Sequence, residues 1–276
     1  MGPNRRYVRY VAPVMAAALV LSLAACGSST SGTGSSQSTL DQIISRGTIR
    51  VGTILSLPPF GMKDASGNPQ GFDVDIANDI AQALSVKLEV VDTTAADRIP
   101  NLTTSKVDLI VADFTRTAER AKSISFTDPY IAAGYNLLVK KGSGINGVAD
   151  LTGKTVAVPK GTTEDVAITA ANPQAKIARF DTTAACILAV KQGQADAMVE
   201  DSNVLLYQAK LDPTLEVSKE SVLPVEYNGF GLRRGDPDWQ SWLNLFLFNE
   251  ITSGRETQLY EKWFGQAPLF PLNPQY

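Results

Sequence analysis

Residues 113–120 read DFTRTAER and follow VDLIVA, a short apolar run with the pattern of a buried strand. Two hydroxyls (Thr115, Thr117) and two guanidinium groups (Arg116, Arg120) therefore stand directly after a strand, where a parallel sheet opens its ligand crevice. They are either surface decoration or the jaws of a site. The competing chemistry is narrow. Histidine is absent from the 276 residues, which excludes Ser-His-Asp and Cys-His machinery and most zinc sites. No acidic cluster is spaced for an ion, so neither a metal nor a cofactor is expected.

A second strand end repeats the plan. KVDLIVAD (106–113) and QADAMVED (194–201) each run from a turn through an Asp and an apolar strand to a polar end, the second closing on Glu200 and Asp201. Two such units suggest two lobes whose strand ends face something. From Leu40 onward strands and helices alternate, the pattern of an α/β protein with mostly parallel sheet. The spacing predicts strands at 48–54, 87–92, 106–113, 136–142, 154–161, 194–201 and 228–234. In GFDVDIANDIAQAL (71–84), Phe72, Ile76, Ile80 and Leu84 recur every four residues behind acids in the first turns, which predicts an amphipathic helix. Asp97 is placed to cap a helix carrying Pro100 in its first turn, Thr162 or Thr163 to cap another, and 182–193 is helical. The tail from Trp239 to YEKWFG (260–265) reads as helix. At 44% hydrophobic the chain is long enough for one large or two medium domains. With a net charge of -3 and no basic run or basic–aromatic stripe, nucleic acid is not an expected partner.

The N-terminus reads as processing signal. Arg5, Arg6 and Arg9 precede VAPVMAAALVLSL (11–23), an apolar run too short to span a bilayer. Leu23-Ala24-Ala25-Cys26 resembles the lipobox of bacterial lipoproteins, so residues 1–25 are expected to be a signal peptide and Cys26 the lipidated N-terminus. Residues 26–39 have the composition of a flexible Ser/Gly tether. Cys186 is then the one cysteine of the mature chain, a small apolar residue in its helix.

The segments VGT…LPPFGMKDASGNPQGFDVDIANDIAQAL, RIPNLTTSKVDLIVADFTRTAERAKSISFTDPY, LTGKTVAVPKGTT, QADAMVEDS and YEKWFG together resemble extracellular solute-binding proteins of family 3, the polar-amino-acid receptors of ABC importers. The resemblance implies a two-lobed, Venus-flytrap, periplasmic-binding-protein-like fold. Lobe 1 would comprise 40–137 plus 230–276 and lobe 2 138–229, joined by two hinge strands near 134–140 and 227–232. It implies no enzyme, but a monomeric receptor, extracytoplasmic and held to the membrane by its lipid, that closes on one amino acid and meets permease and ATPase subunits. Carried over by motif, Thr115 and Arg120 hold the ligand's α-carboxylate, with Thr163 adding donors at a helix N-terminus. Asp201 takes the α-ammonium, with the carbonyl of Asp113 as a second acceptor. In members that bind glutamate or aspartate, the arginine matching Arg98 reaches the side-chain carboxylate, so an acidic ligand is expected.

The chain also departs from that pattern. Leu57 and Ala95 stand where ligand-stacking aromatics are common, and Ile54 stands where receptors for cationic side chains carry an acid. Asp113 replaces a small residue. Two alternatives share the fold: a dehydratase or lyase, for which Glu200 beside Asp201 is the available acid–base pair, and a ligand-sensing partner of a membrane kinase.

Overall fold

The structure, a computed structural model, describes residues 37–272. The signal peptide expected over 1–25, Cys26 and the tether as far as residue 36 lie outside the described residues. Helix α1 (Thr39–Arg46) opens the described chain. Ser38 caps it by accepting from the Leu40 N–H, which sets the start of regular structure at the edge of the Ser/Gly-rich segment.

The chain then runs β1 (Thr48–Thr53), a small hairpin of β2 (Met62–Lys63) and β3 (Pro69–Gln70), α2 (Phe72–Ala83), β4 (Lys87–Asp92), α3 (Arg98–Thr103) and β5 (Leu109–Ile110). A long β6 (Ser125–Lys140) leads to β7 (Thr155–Pro159), α4 (Thr163–Ala171), β8 (Lys176–Phe180), α5 (Thr183–Gln192) and β9 (Ala197–Asp201). Helix α6 (Ser202–Leu211), β10 (Leu215–Val217), the long β11 (Leu223–Leu232), α7 (Pro237–Thr252) and α8 (Arg255–Phe264) follow. Among the described residues nine strands share one curled sheet, in the order β4-β1-β5-β11-β6-β9-β7-β8 with β10 on β6. Parallel pairs occupy both flanks, β1 with β4 and β5, and β7 with β8 and β9. The antiparallel pair β6–β11 crosses the middle and belongs to both flanks. This is the two-lobed α/β fold with two connecting strands.

The core follows the same division. One apolar cluster joins residues between Ile43 and Ile131 to Val204 and to Phe230–Tyr260, and two more gather residues between Tyr135 and Leu215. Helix α2 buries Phe72, Ile76 and Ile80 with its expected four-residue period, and Asp73 and Asp75 occupy its first turn. Phe60 is fully buried edge-on to Phe72 and Phe264, packing within its flank.

The repeated turn–Asp–strand plan has a structural cause. Asp108 accepts the Arg50 N–H at 2.8 Å and pairs with the Arg46 and Arg50 guanidinium groups; Asp196 accepts the Thr155 N–H at 2.8 Å beside Lys154. Each aspartate pins the start of a parallel neighbour, so that the following strand ends in register at the centre of the molecule.

Three expectations change. The strand expected over 106–113 is regular only at Leu109–Ile110, because Asp113 turns the chain through a positive φ of 44°. The strands expected separately at 136–142 and 228–234 are the ends of the longer β6 and β11. Asp97 holds the first helical position's flank with a helical backbone but makes no cap bond, since its carboxylate accepts the Thr94 hydroxyl at 2.7 Å.

Candidate functional site

Where the parallel strands of the two flanks point at each other, a small cavity of about 20 Å3 remains, room for about one water. The first flank lines it with Ile54, Leu57, Ala95, Arg98, Asp113, Thr115 and Arg120. The second contributes Thr162, Thr163, Glu164, Thr183 and Glu200. Five of the six residues singled out for a ligand thus meet at one place. A wider groove lined by Arg116, Thr117, Phe126, Tyr227 and Arg234 opens to solvent nearby and gathers no buried charge. Arg116 itself is exposed.

Thr115 is held by an isolated bridge to Asn228 in β11, which carries its hydroxyl to 3.4 Å from that of Thr163. Thr162 is the cap of α4, accepting from the Asp165 N–H, so Thr163 is the first helical residue, its N–H at the positive end of the helix dipole. The Thr163 hydroxyl donates to Glu226 at 2.9 Å, and the Tyr135 hydroxyl donates to the same oxygen at 2.9 Å.

The two cavity arginines differ in how their donors are used. Arg98, 3% exposed, donates to the carbonyls of Ala95, Ala112, Asp113 and Gly161. Four of its five N–H groups are thereby committed to backbone. Arg120 donates to the carbonyls of Thr115 at 2.7 Å and Gly161 at 3.0 Å, which leaves three. Both guanidinium carbons lie over the Phe114 ring, 4.3 and 4.8 Å from its centroid. Burial, and then repulsion from Arg120, push Arg98 down to about 9; burial also lowers Arg120, against the pull of Glu164 and Glu226.

The acids are more numerous. Asp113 takes the Asn228 amide on Oδ1, its N–H donates to Asp73 and Tyr130, and its carbonyl accepts from Arg98. Burial and the neighbouring charge of Glu164 raise it to about 7. Glu200 accepts the Thr183 hydroxyl at 3.0 Å, and burial with Glu164 and Asp113 nearby holds it well above the usual carboxylate range. Asp201, the last residue of β9 and the cap of α6, accepts the Asn203 N–H at 2.7 Å on one oxygen. Its other oxygen is buried without a hydrogen-bond partner, and burial with Asp113 nearby raises it well above the usual range. Asp201 is not among the residues lining the cavity; strand alternation gives that place to Glu200. Among the described residues no group of histidine, cysteine and carboxylate side chains could hold a metal ion. Cys186 is buried in α5, and burial raises its thiol, which makes it inert. Lys160 pairs with Asp181 at the surface.

Sequence reasoning passed over Glu164, Thr183, Gly161 and Glu226. Glu164 was concealed by its position, because an acid in a first helical turn reads as a complement to the dipole. Glu200 stood out only as a possible acid–base group. The side-by-side Thr-Glu of GTTED was the available signal, since adjacent residues of a first turn can both face a crevice that the helix points into.

A family model described as bacterial extracellular solute-binding proteins, family 3, matches residues 49–266. The ABC transporter glutamine-binding protein GlnH of Bacillus subtilis (strain 168) is 34% identical over 258 residues, covering 90% of this chain and 94% of that protein. The crystal structure of a mutant of ArgBP from T. maritima superposes with a TM-score of 0.78 at 40% identity, covering 83% of this chain and all of the other. The ancestral amino acid-binding protein AncCDT-1, described as a precursor of cyclohexadienyl dehydratase, superposes with the same TM-score at 43% identity, covering 82% of this chain and all of that one.

Proposed function

We propose that this chain, which belongs to family 3 of the bacterial extracellular solute-binding proteins, is the receptor of an ABC importer and closes its two lobes on a single polar amino acid. The carrying observation is the asymmetry of the two cavity arginines: Arg120 alone keeps several donors uncommitted beside Thr115, Thr163 and the N-terminus of α4. That set suits a planar α-carboxylate. The unpartnered oxygen of Asp201 supports its role as acceptor of the α-ammonium. Ile54 and Leu57 offer apolar walls to the side-chain stem.

The acidic ligand expected from Arg98 has weaker support. Four of that guanidinium's hydrogen bonds end on backbone carbonyls, so a ligand carboxylate would have to compete with them. A neutral or cationic polar amino acid suits the cavity better, and relatives that bind glutamine and arginine make such ligands reasonable in this fold.

The lobes are proposed as 40–137 plus 230–276 and 138–229, a division supported by the apolar clusters and by the continuity of β6 and β11 between them. Hinge motion is assigned to those two strands. The receptor is proposed to act as a monomer outside the cytoplasm, anchored through a lipid on Cys26, and to deliver its ligand to permease and ATPase subunits. The family's extracellular character supports the location. It is proposed not to be an enzyme. The buried pair Glu200 and Asp201 and the likeness to a dehydratase precursor keep turnover worth measuring.

Thermal-shift measurement of the purified protein against the twenty amino acids tests the reading. A ligand at a hundred times its dissociation constant adds about 2.7 kcal/mol, which is readily seen. Stabilisation by none of them, or consumption of the bound amino acid on prolonged incubation, overturns it.

A further inference from the structure

Two polar side chains that do not line the cavity are buried together in the first flank: Asp73 of α2, 1% exposed, and Tyr130 of β6, fully buried. The Tyr130 hydroxyl donates to Asp73 Oδ1 at 2.8 Å. The Asp113 N–H is shared between Asp73 Oδ2 and the Tyr130 oxygen, 3.0 Å from each. The Tyr130 ring lies nearly parallel to Phe72 and tilted against Phe230, so an apolar pair would suit these surroundings without the desolvation cost of a buried acid. That cost is visible in Asp73, whose carboxyl is held well above the usual range by burial and then by Asp113.

What the pair holds is a turn. Asp113 has a φ of 44°, in the left-handed region that a residue with a side chain keeps only when its surroundings over-determine it. A different segment fixes each of its polar groups. Asp73 and Tyr130 take its N–H, Arg98 of α3 donates to its carbonyl, and Asn228 of β11 donates to its carboxylate. Directly after this turn the chain pairs with β11. The Phe114 carbonyl accepts the Gly229 N–H at 3.1 Å, Thr115 bridges to Asn228, and the Arg116 N–H donates to the Tyr227 carbonyl at 3.0 Å. Arg120 is fixed in turn by the Thr115 carbonyl. Thr115 and Arg120 thus take their places from the backbone of Asp113, and that backbone takes its place from Asp73 and Tyr130.

Given the receptor reading, on which this rests, we propose that Asp73 and Tyr130 are positioning residues for the ligand's α-carboxylate. They lock the turn at Asp113 and so set where Thr115 and Arg120 stand, without touching the ligand themselves. A guanidinium fork rewards a carboxylate only when its geometry is held, so loosening the turn costs recognition of that group before any other. Tyr130 and Asn228 belong to the two connecting strands, so the same turn is tied to both of them.

Titration calorimetry tests this with the twenty amino acids and with the α-carboxamide of whichever binds wild type most tightly. Wild type should prefer the amino acid to its carboxamide strongly. Asp73→Leu keeps the branched shape and removes both acceptors. It should weaken the amino acid roughly tenfold or more while changing the carboxamide little, so that the preference shrinks. Asp73→Asn, whose carbonyl oxygen still accepts the Asp113 N–H, should recover most of the loss. Tyr130→Phe keeps the ring contacts and leaves Asp73 on the N–H, so a smaller loss in the same direction is expected. It carries the test if Asp73→Leu does not fold. On an Arg120→Ala background, Asp73→Leu should cost far less affinity than in wild type, because both act on one contact. A lowered melting temperature with an unchanged preference for the carboxylate overturns the proposal and makes the pair structural only. Losses that add in the double variant overturn it as well. Failure of all twenty amino acids to bind wild type overturns the receptor reading itself, and this proposal with it.

Discussion

The hydroxyls of Thr115 and Thr163 lie 3.4 Å apart, although one follows a strand of the first flank and the other opens a helix of the second. The contact is long for a hydrogen bond between hydroxyls, and Thr163 already donates to Glu226. The Thr163 proton is thus committed, while the Thr115 hydroxyl is held only by this long contact and is free to turn toward an anion. Arg120 beside Thr115 supplies the charge such an anion needs.

Arg120→Ala should accordingly weaken every α-amino acid the protein binds, whatever its side chain. Removing one partner of a desolvated charge pair costs about 2–5 kcal/mol, or roughly 30-fold and upward in affinity. Calorimetry with the preferred ligand and one weaker analogue checks it. A loss confined to one of the two would move the α-carboxylate elsewhere.

Arg98→Ala is expected to behave differently. The carbonyls of Ala95, Ala112 and Asp113 lose this donor, while that of Gly161 keeps Arg120. Buried groups left unsatisfied cost about 1–3 kcal/mol each before relaxation and water entry reduce the sum. The variant should melt well below wild type in the absence of ligand. An unchanged melting temperature with a selective loss of glutamate binding would restore Arg98 as the reader of an acidic side chain.

Gly161 offers a test of closure that leaves the charges alone. Its carbonyl receives both arginines, and a Cβ placed on it would stand 2.8 Å from the Ala96 backbone of the opposite flank. Its φ of 79° also disfavours a side chain. Gly161→Ala should therefore hold the lobes apart and weaken ligand by roughly tenfold or more, because some binding energy goes to forcing closure. Solution scattering should give a larger radius for the liganded variant than for liganded wild type. Equal radii and equal affinity would mean that these flanks do not need to meet.

Much of this was readable from periodicity. The four-residue rhythm of Phe72, Ile76 and Ile80 specified α2, and the β-branched run of 48–54 specified β1, because local burial determines both. Thr115 and Arg120 stood out by their place after a strand, whereas Arg98 and Thr163 were reached through the family resemblance. The acids were harder. Whether Glu200 or Asp201 lines the cavity depends on the pleat of β9, and Glu164 matters only because α4 points its first turn across a gap that closes between distant segments. The commitment of Arg98 to carbonyls 14 and 15 residues away is tertiary in the same sense. No window of sequence contains it.

The lipid anchor is tested outside the folded part. Cys26→Ser removes the acceptor of the LAAC motif, so the protein should appear as released or unprocessed precursor in membrane fractionation. One acyl chain binds only marginally, and stable attachment takes the two or more chains of a lipoprotein. Retention of a lipid-labelled species in the variant would end the assignment.

The last expectation is a pH dependence with a definite sign. Asp113 is raised from an ordinary 3.8 to about 7, first by burial and then by Glu164, with Glu226 adding to it and Arg98 and Asn228 opposing. Glu256, in α8, is raised from 4.5 to about 7 by burial. For both groups the folded state favours the protonated form more than the unfolded chain does. Their contribution is therefore complete below about pH 4 and is lost as pH rises through about 7. Asp64 and Asp212, whose carboxyls are lowered by hydrogen bonds from Asn68 and from Lys191 and Thr214, act in the opposite sense but only in more acidic solution. The unliganded protein should melt higher at pH 5 than at pH 7.5, by on the order of 1–2 kcal/mol of stability after screening. The double variant Asp113→Asn, Glu256→Gln should reduce that slope, leaving the share that Asp73, Glu200 and Asp201, raised well above the usual range by burial, contribute in the same sense. Asparagine is a fair replacement at 113, because it tolerates the φ of 44° and keeps an oxygen for the Asn228 amide. Calorimetric melting of both proteins across this range decides it; stability that rises with pH, or a slope the double variant leaves intact, would show that these carboxyls are not protonated in the fold.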